Sequence, residues 1–167
     1  MYEPFHSLPP DAHIWIYQAN RPFTASESGF LGSELRSLCD QWAAHGQPLK
    51  TSFLLEHNQF VVLAVDEKHL GASGCSIDGS VRILKELERK TDQGFFDRKW
   101  VAFLEKDLVV LHPLTSLPTL FEKKTLSGET ITFNNTITSK GDWKNRWKIP
   151  VRESWLARYL PKTPVPG

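Results

Sequence analysis

Cysteine is scarce in this sequence: Cys39 and Cys75 are the only two in 167 residues, and no C-x-x-C pair occurs. A disulfide framework is thereby excluded, and two free thiols in a reduced compartment are expected. The six histidines, at 6, 13, 45, 57, 69 and 112, form no H-x-H or H-E-x-x-H motif, so no metal site is expected. An excess of one charge is also missing. Twenty Lys and Arg against 19 Asp and Glu leave a formal net charge of +1, too little to steer the whole chain toward nucleic acid or membrane. The longest apolar run, Phe60 to Val65, is far shorter than the roughly 20 residues a bilayer span requires. Met1 to Asp11 is polar and proline-rich, unlike a signal peptide, so the expectation is a cytoplasmic protein without a membrane partner.

What is there reads as one ordinary globular domain. Hydrophobic residues make up 40% and charged residues 23%, a balance that supports a packed core. The expected organisation is a single domain over 1–167: a core over 12–113, an extension over 114–160 and a loose tail over 161–167. His13 to Gln18 reads as a first strand, apolar on both faces. Thr24-Ala25-Ser26-Glu27 fits a capping box, and Leu31, Leu35, Leu38 and Trp42 follow on one helical face. Thr51–Glu56 and Gln59–Val65 read as a hairpin turning at His57-Asn58. A second helix to about Lys90 carries Ile77, Val81, Leu84 and Leu87 as its apolar stripe. Trp100–Leu104 and Leu108–Leu111 close the series as a second hairpin.

The resulting order, β-α-β-β-α-β plus one strand, is the split βαβ or ferredoxin-like order. The expected fold class is therefore α+β: a five-stranded, mainly antiparallel sheet with two helices on one face and a Trp-rich C-terminal extension. Beyond residue 113 a short helix over 114–124 and a strand over 130–137 are expected. From Lys140 to Lys162 seven basic residues face two acidic ones, and three of the six tryptophans lie between 143 and 155.

The loop after the third strand carries the chemistry worth weighing. Gly74 and Gly79 have the spacing of a P-loop, but Ser80 and Val81 stand where the phosphate-binding lysine and the magnesium-binding hydroxyl belong. A P-loop ATPase is rejected on that ground. A smaller reading survives: a small anion held over Gly71–Ser80, with Ser73, Gly74, Ser76 and Asp78 as the ligand-binding residues. In the structural alternative, Ser76 or Asp78 merely caps the helix. Cys75, near a helix N-terminus among small neighbours, is a candidate nucleophile or redox thiol, with His45 and Lys50 as neighbours at the same sheet end. Cys39, on the buried stripe, reads as inert core.

The C-terminal aromatics also have two readings. Trp143/Trp147 and Trp155/Tyr159, each spaced i, i+4, either anchor the tail to the sheet or form an interaction surface. Nucleic acid is the weaker partner, because the third strand lacks the aromatic signature of the RNA-recognition fold. The leading function is thus a non-enzymatic binding or interaction protein without a cofactor, its partner a small anion or a protein. The alternative is a thiol-dependent enzyme or redox protein using Cys75.

The phrases WIYQANRPF (Trp15–Phe23), QWAAHGQPLK (Gln41–Lys50), ASGCSIDGSV (Ala72–Val81), FFDR (Phe95–Arg98) and SWLARYL (Ser154–Leu160) resemble a family of small, uncharacterised bacterial proteins, some labelled automatically as ABC-transporter ATPases. The resemblance implies a bacterial cytoplasmic protein and brings no catalytic residues. The ATPase label conflicts with the missing P-loop lysine and the missing LSGGQ-type signature.

Overall fold

The computed structural model describes residues 1–44, 46–67 and 74–162, with the backbone alone for residues 44 and 74–77. The chain folds as two compact units: residues 1–96 with 135–145, and residues 97–134 with the chain from Arg146. Among the described residues, no helix is long and apolar enough to cross a membrane.

The first unit is built on strand β1 (His13–Gln18), helix α1 (Ala25–Gln41), a two-residue ribbon of β2 (Ala43–Ala44) and β3 (Gln47–Pro48), strands β4 (Thr51–Glu56) and β5 (Phe60–Val65), and helix α2 (Gly74–Lys90). Its sheet is antiparallel, in the order β1-β5-β4. The hairpin between β4 and β5 turns at His57 and Asn58, with φ of 52° and 53°, and the Gln59 N–H closes it on the Glu56 carbonyl at 2.9 Å. Two successive positive φ values give the turn a twist that matches the strands. β5 is central, and all six of its residues are buried, in keeping with its unbroken apolar sequence.

Alternation along the strands then sorts side chains to two faces. Val61 and Leu63 pack under Leu31 and Leu35 of α1 and Leu84 and Leu87 of α2. Ile14, Val62 and Ala64 pack on the other side beneath Phe5, Leu8, Ala12, Ile137 and Trp143. Each fully buried Leu or Val contributes about 1.5–3 kcal/mol of transfer free energy. Thr24 caps α1 as its sequence implies: its hydroxyl accepts from the Glu27 N–H at 3.1 Å, and the Glu27 carboxylate accepts from the Thr24 N–H at 2.9 Å.

The second unit contains β6 (Trp100–Glu105) and β7 (Leu108–Pro113), a 3-10 turn, helix α3 (Leu117–Glu122), β8 (Ile131–Phe133) and, after helix α4 (Lys140–Arg146), β9 (Lys148–Pro150). α4 lies almost wholly in the stretch that returns to the first unit. The second sheet is antiparallel, in the order β7-β6-β8-β9. Phe103, Leu117, Phe121, Leu126, Val151 and Leu156 form its core.

The protein is therefore α+β with two antiparallel sheets of three and four strands, beside the small ribbon. The ferredoxin-like order holds for the first three strands and stops there. The fourth and fifth strands of the expected five-stranded sheet pair with each other as foreseen, but in the second sheet. The outer edge of β1, where a ferredoxin-like fourth strand would lie, meets the returning chain instead, through a His13–Ser139 bridge and an Ile14 N–H to Thr138 carbonyl bond of 2.9 Å. In place of one core over 12–113, each unit has its own. The division also separates charge. The first unit holds ten Lys and Arg against thirteen Asp and Glu, the second ten against six.

Candidate functional site

The sheet end beyond β5 is where the sequence placed its small-residue loop. His13 pairs with Val65 and Thr51 with Val65, and the Asp66 N–H donates to the Lys50 carbonyl at 2.9 Å. The beginnings of β1 and β4 and the end of β5 thus share this end, with the Lys50 side chain exposed. His13 Nδ1 lies 3.5 Å from Glu67 Oε2, and its ring stacks on Trp15 with centroids 4.1 Å apart. Trp42, 2% exposed, packs beside Trp15 with its Nε1 lacking a partner among the described residues.

Ser73 and His45, two of the expected site residues, lie outside the described residues. α2 begins at Gly74, so Cys75 and Ser76 are in its first turn and Asp78 in its second. Their position corrects the capping expectation: Ser76 and Asp78 are inside the helix, and a cap must precede it. Asp78 is exposed. The side chains of Cys75 and Ser76 are outside the described set. Cys39 is fully buried, and burial pushes its thiol pKa up.

The four C-terminal aromatics are divided between the two units. Trp143 belongs to the first unit, where its ring meets Phe5 edge-on at 5.1 Å. Trp147 belongs to the second, 2% exposed against Phe133 at 4.9 Å. Trp155 is 52% exposed. Tyr159 meets it edge-on at 6.0 Å, and the Arg158 guanidinium lies 5.7 Å from its ring centre. These three residues share a 3-10 helix, Trp155–Tyr159, which Ser154 caps by accepting from the Leu156 N–H at 3.1 Å. Leu156, fully buried, roots the turn in the core. A large aromatic is thus held outward on a turn rooted in the core, a geometry suited to contact.

Two features escaped the sequence. Arg21, Glu27, Asp92 and Gln93 make one polar cluster: Arg21 bonds both oxygens of Glu27 and also Asp92, while Gln93 Nε2 lies 3.3 Å from Glu27 Oε1. The capping box marked Glu27, but nothing local marks a partner 66 residues away. The other is a cavity beside β1, lined by 13–17 and 135–138. Among the described residues, no group of three or more His, Cys, Asp or Glu is placed to hold a metal ion. Comparison with protein-family models, with curated proteins and with solved structures found no match to this chain.

Proposed function

We propose that this is a non-enzymatic binding protein that meets a protein partner through Trp155, Arg158 and Tyr159. The observation that carries the reading is the 52% exposure of Trp155 on a turn whose neighbouring residue, Leu156, is fully buried. Exposed tryptophan flanked by arginine and tyrosine is the composition of interface hot spots, and the Arg158 contact lowers the ordering cost of the ring on binding. The second unit's basic balance favours an acidic partner surface. The test is a photo-crosslinking amino acid placed at position 155 in cells, with the same group at Leu108, which is 69% exposed, as control. Discrete crosslinked species from 155 alone support the reading; identical patterns from the two positions sink it.

A small anion at the Gly71–Ser80 loop is a narrower form of the same proposal. It draws support from the start of α2 at Gly74 and from Lys50 at that sheet end. Titration with inorganic phosphate, followed at the Gly74 to Asp78 amides, tests it. The thiol reading of Cys75 rests on its place in the first turn of α2. Alkylation of Cys75 between pH 5 and 9, rapid below pH 7, would favour it over the binding reading. Bacterial origin, a cytoplasmic location and membership of the resembling family enter the proposal from the sequence alone.

A further inference from the structure

Ile16 occupies an incomplete place in the hydrogen-bond ladder of the first unit. In an antiparallel strand, successive residues turn their N–H and C=O groups to opposite sides. The Ala19 N–H donates to the Gln59 carbonyl at 2.8 Å, so the odd-numbered residues of β1 face β5. The even-numbered ones face outward, and the Ile14 N–H accordingly donates to the Thr138 carbonyl at 2.9 Å. Continued by two residues, that register would pair Ile16 with Thr136. Among the described residues, however, neither main-chain group of Ile16 has a partner on that side. The two stretches are joined again where Asn135 Nδ2 donates to Gln18 Oε1 at 3.1 Å. Between the two closures lies a cavity of about 240 Å³.

The chemistry of this opening defines what fits it. No Asp, Glu, Lys or Arg is among its lining residues, and the one histidine there, His13, is set against Glu67 at 3.5 Å, so the lining favours a neutral ligand. Ile16 presents one donor and one acceptor at the spacing of a strand edge. An extended amino-acid residue flanked by two amides answers both, as paired residues do in a ladder. Water is the competing occupant, since the volume exceeds several times the roughly 30 Å³ a water takes in the liquid.

We propose that the cavity between 13–17 and 135–138 is a binding site for a neutral, extended peptide unit that completes the missing rung at Ile16. The proposal is independent of the Trp155 surface. The test titrates the ¹⁵N-labelled full chain with N-acetyl-L-alanine N′-methylamide. Saturable shifts centred on the Ile16 and Ile137 amides are expected, with slower hydrogen exchange at Ile16. The analogue O-acetyl-L-lactic acid N-methylamide has an oxygen in place of the N–H that would reach the Ile16 carbonyl. It is expected to bind about tenfold more weakly, the effect of one unanswered hydrogen bond. Absence of saturable shifts at Ile16, or equal binding of the two compounds, overturns the proposal and leaves the cavity to water.

Discussion

Arg21 holds Glu27 through both carboxylate oxygens, at 2.8 and 2.9 Å, while Glu27 is only 5% exposed. Arg21 follows β1, Glu27 opens α1, and Asp92 and Gln93 follow α2, so one guanidinium ties three segments of the first unit together. The Arg21 bond is the main reason the Glu27 pKa falls from its ordinary 4.5 to about 2, against the opposing cost of burial. A carboxylate whose folded pKa is depressed contributes stability that is complete above its unfolded pKa and is lost as pH falls. The first unit is therefore expected to lose stability between about pH 4.5 and pH 2. Glu27→Gln is expected to cost about 2 kcal/mol at neutral pH, discounted for the part-exposed arginine, and to flatten the acid limb. Thermal melts of both proteins across this range check it; parallel limbs would contradict it.

Trp147 and Trp155 are expected to respond oppositely to truncation. Trp147 fills core space against Phe133, so Trp147→Ala should cost about 3–5 kcal/mol in urea denaturation. Trp155→Ala removes a ring that is half in solvent and should cost under about 1 kcal/mol. A large cost at 155 would mean that the platform is structural and would weaken the binding proposal.

Gly79 is where α2 comes close to α1. A Cβ there would stand 3.0 Å from Leu38 Cδ1, the flexible end of that side chain. Gly79→Ala gains about 1 kcal/mol of helix propensity, offset by the shift of Leu38, and should melt near the parent. Gly79→Val adds branching that Leu38 cannot escape and should cost about 1–3 kcal/mol. Circular dichroism melts of the pair decide whether the contact is as close as the geometry states.

Cys39 should be silent toward iodoacetamide in the folded protein. Its side chain is fully buried and burial raises its pKa, so both access and thiolate are lacking. Its labelling rate is expected to follow global unfolding as urea is added. Fast labelling in buffer alone would show that α1 opens independently.

The elements written locally in the chain were legible in the sequence. The Thr24–Glu27 capping box and the turn at His57-Asn58 depend on residues within a few positions of each other, and both form as read. So does the hairpin at Lys106-Asp107, where φ is 53° and 64°. Sheet membership is a different kind of information. Trp100–Glu105 is recognisable as an inner strand, but whether its second neighbour is β1 or β8 depends on Phe103 meeting Thr132, 29 positions away. No short-range pattern encodes that choice. The same limit hid the Arg21–Asp92 bond. It also hid the change of units between Trp143 and Trp147.

That crossing has a consequence for synthesis. The first unit borrows 135–145, and Lys140 from that stretch donates to the His6 and Leu8 carbonyls near the start of the chain. The second unit is completed only by residues beyond 146. On a ribosome, the first unit cannot reach its final hydrogen bonding until residues 135–145 have emerged, nor the second until those from Arg146 onward have. The edge of β1 then stays open while the residues between β1 and Thr138 are synthesised, a period in which a neighbouring strand from another chain competes for it.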